Sequence, residues 1–146
     1  MKEFARYDVF DYLEMEVRLL TRMLDRVIGD YFHQTNDQRG DQIASVFQSV
    51  ERHVNHQDKI MKTVALDSGL ERVYLKFKFY RDQIKDLMND MVFEHLDDDS
   101  FYSDLKLLRA LVAKLARLEH MRLFARLREG MSDEARLEAE TLMGAF

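Results

Sequence analysis

Apolar side chains recur along this chain in alternating steps of three and four residues, the spacing that lines one face of an α-helix. The first stripe runs Phe10, Leu13, Val17, Leu20, Leu24, Val27 and Tyr31 without a break. It predicts a helix of about seven turns that ends near His33, before the polar segment Gln34-Thr35-Asn36-Asp37. A second stripe, Ile43, Val46, Val50, His53, Gln57, Ile60 and Val64, predicts a helix starting between Thr35 and Asp37 and reaching about Ala65. The third carries Leu70, Val73, Phe77, Tyr80, Ile84, Leu87 and Met91, and stops between Glu94 and Leu96. The fourth spans roughly Phe101 to Arg128, with Leu105, Leu108, Val112, Leu115 or Ala116, Leu123 and Leu127 inward.

The breaks between stripes agree with this division. Proline is absent, and glycine occurs only at Gly29, Gly40, Gly69, Gly130 and Gly144. Gly29 falls inside the first helix, where it costs about 1 kcal/mol against alanine. Asp67-Ser68-Gly69 makes a turn, and Ser68 with Glu71 fits a capping box at the start of the third helix. Asp97-Asp98-Asp99-Ser100 suits the positive end of the fourth helix, and lacks the spacing and distal Glu of a calcium loop. Gly130 ends that helix, and Ser132 starts a short amphipathic one, Asp133 to Met143, expected across the end of the bundle. The expected architecture is all-α: one domain over residues 1–146, an up-down-up-down four-helix bundle with a short C-terminal helix.

Composition narrows the function classes. With 146 residues, 47% apolar and 34% charged, the chain can bury a real core in one domain. Cysteine is absent, which removes disulfides, thiolate metal sites and cysteine nucleophiles. No apolar run approaches the roughly 18–20 residues of a membrane span, and no secretory leader pattern opens the chain, so the expected location is the cytoplasm. Net charge is -5. The locally basic stretch from Lys106 to Arg128 sets its cations opposite its leucines, as a solvated helix face does, and nucleic-acid binding is not expected.

Candidate chemistry centres on the second stripe, where His53 and Gln57 sit one turn apart among apolar positions. Burying two polar side chains costs roughly 1–3 kcal/mol each unless they find partners. Neither Glu-x-x-His, His-Glu-x-x-His nor a nucleotide-binding glycine loop occurs, and no Ser/His/Asp arrangement can be built. His56 lies off the stripe and is expected on the surface, and His33 and His95 lie near helix ends. Phe79, Phe93, Phe101, Tyr74 and Tyr102 do not all fit the inward stripe, an aromatic surplus that points to a partner surface or dimer interface.

Helix lengths, loop positions and local phrases over nearly the whole chain resemble the hemerythrin-like (HHE cation-binding) domain family. In that family the first and third helices each supply a His in a phrase like Glu-His-x-x-Ile-x-x-Leu-Leu, and the second and fourth carry His-x-x-x-Glu. Those residues hold two bridged irons that bind dioxygen or sense redox state. Here the first phrase is Glu16-Val17-Arg18-Leu19-Leu20, with Val17 in the His slot, and the third is Tyr80-Arg81-Asp82-Gln83-Ile84, with Arg81 in that slot. His53 matches the family His of the second helix, with Gln57 and Asp58 in place of the two acids. Leu123-Phe124-Ala125-Arg126-Leu127 matches the family phrase that places Ala116 in the His slot of the fourth helix and His120 in its acid slot.

Valine, alanine and arginine do not ligate iron, so a di-iron centre of the family kind is not expected. The residues brought together would be His53, Gln57, Arg81 and His120, with Glu16, Asp58 or Glu119 as the acid that Arg81 needs. They admit a hydrogen-bonded cluster fixing helix register, a pocket for a small anion or polar ligand, or one metal ion held by His53, His120, Asp58 and Glu119. The helix-four stripe falls between Glu119 and His120, and either can face inward. The leading expectation is a non-enzymatic regulatory or protein-interaction module without a cofactor, acting on a protein partner or as a homodimer. The alternative is a sensor of iron, another divalent metal or a small ligand at the modified site; an oxidoreductase at a non-haem iron comes last.

Overall fold

A computed structural model describes residues 9–67, 71–118, 129 and 132–144. Within them α1 spans Val9–Asp30, a 3₁₀ turn follows at Tyr31–His33, and α2 spans Asn36–Asp67. Then come α3 (Glu71–Met91), α4 (Asp99–Leu118) and α5 (Asp133–Gly144). The chain is all-α, and none of the described helices is long and apolar enough to cross a membrane.

The three- and four-residue stripes are the core. Phe10, Leu13, Val17, Leu20, Leu24, Val27 and Tyr31 of the first stripe are all buried. So are Ile43, Val46, Val50 and Ile60 of α2, Phe77, Ile84 and Met91 of α3, and Leu105, Leu108, Val112 and Leu115 of α4. Burying a side chain of this size contributes about 1.5–3 kcal/mol, which is what drives the four amphipathic helices together. Packing is cyclic: α1 on α2, α2 on α3, α3 on α4, and α4 back on α1, so α1 and α3 lie at opposite corners. α5, expected across the end of the bundle, packs instead chiefly on α2 with a smaller contact to α1, and buries Ala139.

Local chemistry sets the helix ends. Thr35 and Gln38 form a capping box for α2: the Gln38 amide donates to Thr35 Oγ1 at 3.3 Å, and the Thr35 amide donates to Gln38 Oε1 at 3.1 Å. The α1–α2 and α3–α4 connections meet at one end of the bundle. There Asp97 accepts from Asn36 Nδ2 at 3.1 Å and from Arg39 Nη1 at 3.3 Å, while the Tyr31 hydroxyl donates to the Leu96 carbonyl. Arg39 Nε also donates to the Tyr31 carbonyl at 2.7 Å.

α3 ends at Met91, about three residues before its expected stop, because the backbone tightens into i→i+3 turns. The Phe93 amide donates to the Asp90 carbonyl at 3.2 Å and the Glu94 amide to that of Met91 at 3.1 Å. The Ser68–Glu71 capping box, and the fourth helix beyond Leu118, lie outside the described residues.

Candidate functional site

His53 and Gln57 are both fully buried in the middle of α2, where the stripe puts them. His53 is held by Glu16 of α1: its Nδ1 lies 2.7 Å from Oε1 of that carboxylate. His56, one turn further along α2, brings its own Nδ1 to within 3.0 Å of the other oxygen, Oε2. An ionised carboxylate can only accept, so each Nδ1–H donates and one carboxylate serves two imidazoles. His56, expected on the surface, is thus largely buried, because the three-residue step from His53 keeps it facing α1.

Tyr12, one turn before Glu16 on α1, joins this cluster, its ring centroid 6.2 Å from that of His56. Burial, then the charge and hydrogen bond of Glu16, raise the Tyr12 hydroxyl above its ordinary pKa. For Glu16, burial pushes the carboxyl upward, but the hydrogen bond and charge of His53, followed by those of His56, outweigh it. Glu16 therefore sits below the ordinary glutamate value and stays ionised. A groove of about 300 Å³ opens beside it, lined by Tyr12, Met15, Glu16, Leu20, Ser49 and Arg52.

A second polar group lies between α2 and α3. Arg81 Nη1 donates to Asp58 Oδ1, and the Tyr74 hydroxyl donates to the same oxygen at 2.9 Å. Arg81 also reaches its neighbour Asp82, Nη2 to Oδ1 at 3.3 Å. Of the acids expected for Arg81 that are described, Asp58 is the one it takes, and Glu16 is on the two histidines. Burial, then the hydrogen bond and charge of Asp58, raise the Tyr74 hydroxyl.

Gln57 belongs to neither group. Both atoms of its side-chain amide are buried, and neither has a hydrogen-bond partner among the described residues. His120 and Glu119 lie outside the described residues. The structure thus brings His53 to Glu16 and His56, and Arg81 to Asp58 and Tyr74.

Among the described residues the donor set does not fit a bridged di-iron centre. Val17 and Ala116 bring no ligating atom, and a cation already neutralises Asp58. Among the described residues no group of three or more His, Asp or Glu side chains is placed to hold a metal ion. The Glu16 carboxylate and the part played by His56 escape a reading of the second stripe alone. The signal available was the pairing of two short steps, Tyr12–Glu16 on one helix and His53–His56 on its neighbour.

Compared with protein-family models, curated proteins and solved structures, the chain finds no match.

Proposed function

We propose that this chain is a cytoplasmic, non-enzymatic module of hemerythrin-like, up-down-up-down architecture, whose ligand positions have been rewritten as ion pairs and which works by binding protein. The observation that carries it is the Arg81–Asp58 pair, which joins the residue that the resemblance sets in a His slot of the third helix to one it sets in an acid slot of the second. The meeting of the α1–α2 and α3–α4 connections around Asp97 supports the up-down order. Large apolar side chains left in solvent, Leu75, Phe79, Phe93 and Leu107 among them, support a partner surface. Phe101, by contrast, belongs to the core, and Tyr74 and Tyr102 are half-buried against it.

Metal analysis of the purified protein is the direct test. The proposal expects no stoichiometric metal; iron at one or two per chain, with a visible charge-transfer band lost in His53→Ala, would sink it. A second reading, a sensor for a small polar ligand or a single metal ion at the central site, is favoured by Gln57, whose buried amide is unpaired among the described residues. That reading expects His53→Ala and Gln57→Leu to abolish binding measured by calorimetry while the fold is kept.

A further inference from the structure

Two exposed helix stripes on this chain share one pattern of spacing and carry opposite charge. On α1 the outward positions run Met15, Leu19, Arg22, Arg26, in steps of four, three and four. On α3 they run Leu75, Phe79, Asp82, Asp86, in the same steps. Each stripe opens with two large apolar side chains, more than half exposed in every case: Met15 52%, Leu19 53%, Leu75 60% and Phe79 59%. Each then continues with two exposed charges, arginine on one helix and aspartate on the other. Arg22, Arg26 and Asp86 make no ion pair among the described residues, and Asp82 holds only the edge of Arg81 at 3.3 Å.

We infer that the chain docks on a second copy of itself, α3 of one molecule lying parallel to α1 of the next and filling the α1–α2 groove. This rests on the protein-binding reading and names the partner. Parallel alignment sets Leu75 and Phe79 against Met15 and Leu19, and Asp82 and Asp86 against Arg22 and Arg26. The seam has room at both levels. A groove of about 300 Å³ beside Met15 and Leu19, lined also by Leu20, Met23 and Arg52, takes the apolar pair, and one of about 600 Å³ beside Arg22 and Arg26, floored by Leu19, Met23, Val27 and Val46, runs on from it. The opposite rim carries Asp41. With α3 laid parallel, right-handed helix geometry turns its Lys85 flank toward α2 and that acid. Charges meet opposite charges on both sides of an apolar seam, the arrangement that sets partner choice between paired helices.

The other self-pairings fail on the same residues. Two copies of α1 laid parallel oppose arginine to arginine, and laid antiparallel they oppose arginine to Met15 and Leu19. Two copies of α3 meet the same conflict with aspartate. Only the unlike pair fits, and an unlike pair makes a heterologous contact. Because α1 and α3 occupy opposite corners of the bundle, a molecule joined through one keeps the other open. Association therefore does not stop at two.

Sedimentation equilibrium of the full chain, from about 10 µM to about 1 mM, tests this. The expected result is an average mass that climbs with concentration past twice the 17.4 kDa of one chain. Raising salt to roughly 1 M, where screening shortens to about 3 Å, is expected to weaken association several-fold. Two double variants decide the geometry. Arg22→Glu with Arg26→Glu disables the groove, and Asp82→Lys with Asp86→Lys disables the docking helix. Each alone is expected to stay monomeric with unchanged helical circular dichroism, and their equimolar mixture is expected to associate past the dimer again, since the intact faces meet each other and the two charge-reversed faces are complementary in turn. A wild-type chain that stays monomeric throughout, or either variant alone associating as the wild type does, overturns the inference. A monomeric wild type free of metal would leave the rewritten-site proposal standing, and the groove would then belong to a foreign partner.

Discussion

Oε1 of Glu16 sits 2.7 Å from Nδ1 of His53, and its other oxygen is 3.0 Å from Nδ1 of His56, so a single carboxylate on α1 satisfies two imidazoles on α2. His53 is fully buried, and its partner is what makes that burial tolerable. Replacing Glu16 with alanine leaves a buried donor without its acceptor, which costs about 1–3 kcal/mol. Urea unfolding of Glu16→Ala is expected to show that loss, with the melting temperature down by several degrees. A variant as stable as the wild type would mean the imidazoles find other acceptors.

The same carboxyl links stability to pH. Its folded-state pKa is held below the ordinary value of 4.5, chiefly by His53 and then His56 acting against burial. A group depressed by folding lends stability that is complete above its unfolded pKa and drains away as pH falls through the folded one. The stability gap between wild type and Glu16→Gln is therefore expected to be held between about pH 5 and pH 6 and to close below 4.5. Unfolding curves of the two proteins, taken at intervals from about pH 6 to about pH 3, measure it; a gap that widens on acidification contradicts the assignment.

Gly29 offers a test on the exposed side of α1. A methyl group built on it meets nothing within 4 Å, and the position is helical. Gly29→Ala removes backbone freedom from the unfolded chain at no steric cost, and is expected to add about 0.5–1 kcal/mol in chemical denaturation.

The helices were legible because burial follows period. Every position of the first stripe from Phe10 to Tyr31 is buried, and the buried pair of His53 and Gln57 could be named from spacing alone. What spacing does not carry is which neighbouring helix a polar side chain turns to. Arg81 and Asp58 stand on different helices, and only the α2–α3 packing brings them together; three acids were equally good partners until then. His56 was misplaced for a related reason. A residue just off the apolar stripe lies at the helix–helix boundary, and whether it is solvated depends on what the adjoining helix offers, here Glu16.

The Arg81–Asp58 pair allows a sharper measurement. Asp58 also accepts from the Tyr74 hydroxyl at 2.9 Å, so removing the acid strands two donors, whereas removing Arg81 strands one acceptor that keeps another partner. Asp58→Ala is expected to cost more than Arg81→Ala, by about 1 kcal/mol. The double variant should cost less than the sum, with a coupling of about 0.5–3 kcal/mol from a double-mutant cycle. Both side chains keep some contact with solvent, which holds the coupling below that of a fully buried pair. Additive losses would mean that the two groups stabilise the bundle independently, and the rewritten-site proposal would lose the observation that carries it.

Gln57 decides between a relic and a receptor. Its amide is fully buried with both atoms unpaired among the described residues, a cost of about 1–3 kcal/mol for each group that the fold has to bear. Leucine has nearly the same reach and no polar atom. If the amide is a remnant in a finished core, Gln57→Leu is expected to raise stability by about 1–2 kcal/mol and change nothing else. If a small polar ligand or metal ion normally meets that amide, the apo protein should gain the same stability but lose the ligand-dependent rise in melting temperature that the wild type shows. Thermal shifts of both proteins, with and without divalent metals and small anions, separate the outcomes. A Gln57→Leu protein that is less stable than the wild type, with no ligand added, contradicts both, since it would show that the amide already has a partner.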